Sequence, residues 1–152
     1  TARLSREPFE PGALLTGFCH GRDETGAVVS FTGLARAEKG VVVALELDAY
    51  PGFTEVAIAE HAAAAATRFD LHDVLIVHRI GKVAPGETIV FVATAAAHRR
   101  AAFQGADFLM DYLKSRAPFW KKSYEAGGAR WIEPTARDYE DAARWDAPKV
   151  AE

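Results

Sequence analysis

The sequence predicts an α+β fold, a mostly antiparallel sheet with two main helices packed on part of it. Residues 74–80 and 88–94 are nearly unbroken apolar runs joined across Ala84-Pro85-Gly86, a short connection that suits an antiparallel pair. Two longer stretches, 54–69 and 98–116, repeat apolar residues at helical spacing. The order of elements is strands, helix, strands, helix, strand, without the regular alternation that builds a parallel sheet.

Taken in order, residues 1–10 alternate polar and apolar positions around Leu4 and Phe9, as an edge strand would. Pro11-Gly12 opens an apolar, helical stretch at 13–19, ended by Gly21. After turn residues 23–26, the run 27–32 reads as a strand closed by Gly33, and 34–40 is a polar loop holding Arg36 and Lys39. Residues 41–49 place Val43, Leu45 and Leu47 on one face and Glu46 and Asp48 on the other, a strand with one wet face. Tyr50-Pro51-Gly52-Phe53 suits a type II turn. Thr54 is placed to cap the next helix, with Glu55 in its favourable first turn and Ile58, Ala62, Ala65 and Phe69 as its buried stripe. The helix 98–116 buries Ala102, Ala106, Leu109 and Leu113, with Phe103 and Met110 beside them. Pro118 disfavours helical geometry at Ala117 and so ends it near Arg116. Gly127-Gly128 leads to a short strand at 130–133, and 138–145 forms a terminal helix. With no repeat, low-complexity tract or linker, residues 1–152 read as a single domain.

Composition narrows the function. A formal net charge of -3 argues against a protein that coats nucleic acid, so a basic site must be a local cluster. No run of 18 apolar residues and no signal-peptide pattern occurs, which reads as a cytosolic chain without a membrane partner. Cys19 is the single cysteine, expected as a small buried hydrophobe, and it excludes an intrachain disulfide or a thiolate cage. His20, His61 and His72 lack an HxxxH or HxH partner, so no metal site is expected. The usual nucleotide-binding and serine-hydrolase signatures are absent.

What remains is cationic. In residues 110–122, MDYLKSRAPFWKK, the cations Lys114, Arg116, Lys121 and Lys122 surround Phe119 and Trp120. The helix macrodipole by itself accounts for Lys114 and Arg116, but Lys121 and Lys122 lie beyond the helix. His98, Arg99 and Arg100 open the same helix at its positive end, where each cation is unfavourable by roughly 0.3–1 kcal/mol. They either await an anion, point to solvent or pair with distant carboxylates. Arg36 is a loop arginine, a ligand contact or a solvated side chain. His78 reads equally as a core, edge or ligand histidine.

Taken together, GAVVSFTGLAR (26–36), YPGFTE (50–55), HRIG (78–81), AHR (97–99) and LKSRAPFWKK (113–122) resemble, in order, the large catalytic subunit family of molybdopterin synthase. The resemblance spans nearly the whole chain, from Phe9 to Trp145. It implies an α/β hammerhead fold and a sulfurtransferase that turns cyclic pyranopterin monophosphate into the molybdopterin dithiolene, with no cofactor of its own. Its partner would be a small ubiquitin-like sulfur carrier whose C-terminal Gly-Gly thiocarboxylate enters a pocket, and its assembly a homodimer within a heterotetramer. By position, Lys114 matches the key catalytic lysine and Lys121 a second one. Arg36, His98 and Arg99 match substrate-binding residues, and Leu34, Ala35, Lys122 and Ser123 fall on contact segments. The three cationic stretches are then expected in one anion pocket. Ser123 stands where the family usually has glutamate, and the 36–44 loop is short for it. A lysine crowded by cations suits acid–base work, for which Lys114 is the expected residue. The competing reading is a non-enzymatic module holding an anion or acidic peptide in the same cleft.

Overall fold

The computed structural model describes residues 1–37, 42–125 and 127–146. Lys39 and the rest of residues 38–41 in the 36–44 loop, the side chain of Val43 and the terminus at 150–152 fall outside the described residues. In chain order the elements are β1 (Ala2–Ser5), α1 (Pro11–Cys19), β2 (Ala27–Leu34), β3 (Val42–Ala49), α2 (Phe53–Phe69) and β4 (Leu71–Arg79). They continue with β5 (Gly81–Val83), β6 (Thr88–Ala96), α3 (Arg99–Ser115), β7 (Phe119–Glu125), β8 (Gly128–Ile132) and α4 (Ala136–Ala143). The expected class holds, with one refinement. Among the described residues there are two four-stranded sheets, ordered β1-β4-β6-β2 and β5-β3-β7-β8, and the parallel β1–β4 pair is the exception to antiparallel pairing.

The first sheet is covered on both sides, which is why β4 and β6 are apolar at nearly every position. Val74, Ile76, Val90, Val92 and Ala96 face α2 and α3, where Ile58, Ala62, Ala65, Phe69, Ala102, Leu109 and Leu113 fill the main core. On the other side Val77, Phe91, Ala93 and Ala95 pack on Phe18 of α1. Among the described residues no helix is long and apolar enough to cross a membrane.

Several expectations need correction. The 74–94 pair is not a plain hairpin: at Gly81, whose φ of 84° favours glycine, the chain leaves the first sheet and pairs three residues with β3 before returning. Three residues are too few to carry a readable period. β7 was hidden because its residues, FWKKSYE, mix aromatics and cations on both faces. Phe103 is exposed, and so is Cys19 at the end of α1.

Thr54 does not cap α2. Gly52 holds that position, at φ 79°, as the third residue of the expected turn, closed by the Phe53 N–H to the Tyr50 carbonyl at 3.1 Å. Thr54 is fully buried instead. Its Oγ1 accepts from the Tyr50 N–H and donates to the Pro118 carbonyl, both at 2.9 Å, tying the start of α2 to the turn after α3.

Thr54→Val keeps shape but strands both backbone groups. We expect a loss of about 1–3 kcal/mol in urea unfolding. A value near zero would show that the bridge contributes nothing.

Candidate active site

The site is built where α3 turns into β7. The Arg116 and Ala117 N–H groups both donate to the Tyr112 carbonyl, at 2.8 and 3.0 Å, closing the helix. The Phe119 N–H then donates to the Ala117 carbonyl at 2.8 Å, a γ-type turn centred on Pro118. After this reversal β7 alternates: Phe119, Lys121 and Ser123 line a cavity of about 680 Å³, together with Lys114 from the last turn of α3. The end of β2 supplies Leu34, the loop beyond it Arg36, and β4 supplies His78. Leu45 and Leu47 form apolar wall, and Thr135, Asp138 and Tyr139 close one side.

Lys121 is largely enclosed. Burial, followed by the charge of Lys114, pushes its amine down to about 8, while Asp138 pulls it back up. The strongly depressed lysine is therefore Lys121. Asp138 is held by a capping box, its N–H donating to Thr135 Oγ1 at 3.2 Å and its carboxylate accepting the Thr135 N–H at 2.9 Å. Ser123 is fully buried, and its Oγ has no hydrogen-bond partner among the described residues. His78 is also buried. Its Nδ1 lies 2.8 Å from the Arg79 carbonyl and its ring stacks on Phe119 at 4.2 Å. No three His, Cys, Asp or Glu side chains converge as metal ligands among the described residues.

Other expected residues are elsewhere. Lys122 points to the opposite face of β7, where its Nζ sits over Trp131 at 5.3 Å and Tyr124 at 5.7 Å. The cause is the two-residue period of a strand, which cannot send neighbours 121 and 122 the same way. Arg116 makes a bidentate pair with Asp146, at 3.1 and 2.8 Å. The Ala35 backbone is already used, its N–H donating to the Glu87 carbonyl and its own carbonyl accepting from Gly86.

Within one chain His98 and Arg99 lie apart from the lysine cavity. They line a separate open depression of about 430 Å³ with Arg100 and Phe103, and among the described residues no acid lies in this first turn of α3. Lys114 stands at the other end of the same helix, roughly 24 Å away at about 1.5 Å per residue. Within one chain the three cationic stretches cannot share a pocket. Sequence reading also missed Thr135 and Asp138, although a threonine followed three residues later by an acid was a legible capping signal. Nothing local in the sequence could have brought His78 beside Lys121.

The family model described as MoaE protein matches residues 4–116. A molybdopterin synthase catalytic subunit from Caulobacter vibrioides is 68% identical over 143 residues, covering 94% of this chain and 95% of that one. The solved molybdopterin biosynthesis MoaE protein from Burkholderia ambifaria is similar at 41% identity and a TM-score of 0.82, covering 97% of this chain and 98% of that one. Molybdopterin synthase from Staphylococcus aureus is similar at 29% identity and a TM-score of 0.77, covering 85% of this chain and 94% of that chain.

Titration of the lysine amines by NMR should find Lys121 near 8, the value to which burial and Lys114 push it. Lys114→Met removes a neighbouring cation and should move that midpoint up. Asp138→Asn removes a neighbouring anion and should move it down. An ordinary lysine midpoint, indifferent to both changes, would mean the amine is solvated.

Proposed function

The chain belongs to the MoaE protein family, and from that premise we propose that it is the catalytic subunit of a molybdopterin synthase, a sulfur-transferring enzyme of molybdenum cofactor biosynthesis. One observation carries the assignment to a site: Arg36, Lys114 and Lys121 converge on one partly apolar cavity large enough for a small heterocycle. The substrate in this reading is cyclic pyranopterin monophosphate. The sulfur comes from the C-terminal Gly-Gly thiocarboxylate of a small ubiquitin-like subunit. Both bring negative charge into the cavity, and the cations that line it can neutralise that charge as it shifts to the transition state.

The two lysines divide the work. Lys114 is exposed at the end of α3, on a flexible stem that can follow the anionic groups. Lys121 is held from both sides, paired with Leu47 on β3 and Ile132 on β8. With its amine near 8, it can give up and regain a proton close to neutrality, which suits it to the proton transfers of sulfur attack. The acid–base role expected for Lys114 is therefore assigned to Lys121. Ser123, with a hydroxyl free to donate, is a further substrate contact.

His98 and Arg99 enter this scheme through a homodimer. Their depression and the Lys114 cavity lie at opposite ends of α3, so a shared anion site requires two copies. Exposed apolar residues border each place: Phe103 beside His98 and Arg99, and Phe31 and Leu34 at the cavity. We propose that one protomer's His98–Arg99 edge completes its partner's cavity.

Lys114→Ala should abolish sulfur transfer from the thiocarboxylated partner to the pyranopterin while leaving the melting temperature unchanged, because a helix-end lysine contributes little to stability. Wild-type turnover in that folded variant would remove Lys114 from the site. A non-catalytic module, by contrast, shows no turnover even in the wild type and tolerates Lys→Arg changes.

Arg99→Ala and Lys114→Ala proteins, each inactive alone, should recover activity when their subunits are exchanged. Half the dimers are then mixed and each has one intact site, so roughly a quarter of wild-type turnover is expected. No recovery despite verified exchange would place both residues' action within one protomer.

A further inference from the structure

Residues 74, 76 and 78 of β4 share one face by the two-residue period of a strand. Val74 and Ile76 spend that face on the helices, but His78 lies at the strand's end and reaches the wall of the lysine cavity. An apolar residue would have continued the core. His78 is 3% exposed, so holding its imidazole there has a desolvation cost that packing alone does not explain.

We propose that His78 reads a hydrogen-bond donor on the substrate: its Nε2 lone pair accepts an N–H or O–H of the heterocycle whose anionic end the lysines hold. This rests on the reading of the cavity as the pyranopterin site. Three observations lead to it. A backbone carbonyl can only accept, so the 2.8 Å contact with the Arg79 carbonyl requires the proton on Nδ1. Nε2 is then a bare acceptor, and it has no partner among the described residues. The ring is kept in place by its stack on Phe119, at 4.2 Å and 22° between planes, so the acceptor direction is fixed before a ligand arrives.

The protonation state agrees with this geometry. Burial, and then the charges of Lys121 and Lys114, push His78 down to about 4 against an opposing pull from the Arg79 carbonyl. The ring is neutral at pH 7. The division of labour follows from chemistry. Lysines and arginine carry only donors, which suit phosphate and carboxylate oxygens but cannot meet the N–H groups of a heterocycle. A neutral imidazole supplies the complementary acceptor without adding charge to the site.

The test compares binding of cyclic pyranopterin monophosphate and of inorganic phosphate to wild type and three variants. His78→Asn keeps a donor for the Arg79 carbonyl but has nothing at the Nε2 position. His78→Gln can present an amide oxygen near that position, and His78→Phe keeps only the stack. Asn and Phe should bind the pyranopterin about tenfold more weakly and Gln within about threefold of wild type, while phosphate affinity stays constant in all. In ¹⁵N spectra of wild type, Nε2 should be unprotonated in the free protein and shift on adding the pyranopterin but not phosphate. Wild-type pyranopterin affinity in the Asn variant overturns the inference. So does a parallel loss of phosphate affinity, which would mean that His78 only supports the lysines. A wild type that binds no pyranopterin removes the functional reading together with this inference, whereas normal binding in the Asn variant removes the inference alone.

Discussion

The hydrogen bond from the Thr54 hydroxyl to the Pro118 carbonyl joins two segments 64 residues apart, and the candidate site depends on what it holds. Between Lys114 and Lys121 the chain must end a helix, reverse and start a strand. Pro118 sets the backbone of that reversal but cannot donate a hydrogen bond, so the turn needs an anchor from outside. Thr54 supplies it from the first turn of α2, a helix packed into the same core as α3. The ring of Tyr50 against Trp120, with centroids 3.9 Å apart, closes the same junction from the solvent side. The two lysines are thereby referenced to the core of the first sheet although one of them belongs to the second.

The arrangement of charge along α3 is asymmetric. At the C-terminal end Lys114 meets a favourable dipole, while Arg116 is turned outward to Asp146. At the N-terminal end Arg99 and Arg100, beside His98, oppose the dipole with no acid in the first turn to relieve them. An anion arriving there would be met by backbone N–H groups and side chains of the same sign. That local conflict is what an interface or ligand, absent from the isolated chain, would resolve.

Partial burial separates two cationic groups that look alike in sequence. Lys121 and Lys122 are neighbours with the same side chain. Strand geometry sends one into a closing cavity, where desolvation and Lys114 weaken its hold on the proton, and the other onto Trp131 and Tyr124. The chemical difference between them comes from the pleat. The same pleat carries His78 from the core-facing side of β4 into the cavity, as a neutral group among cations.

The sequence by itself determined the class of the fold, because hydrophobic periods are local. The buried stripe Ile58, Ala62, Ala65 and Phe69 and the apolar runs of β4 and β6 appear where their spacing put them. It also identified the family, since short motifs survive as strings of residues. It could not show that the sheet is two sheets, because β5 is three residues long and β7 has no clean apolar face. Nor could it separate Lys121 from Lys122. Strand pairing, the direction of the pleat and the depth of burial arise from contacts between residues far apart in sequence. Only the tertiary structure, by bringing Leu47 and Ile132 to either side of Lys121, decided which lysine sits in a low-dielectric cavity.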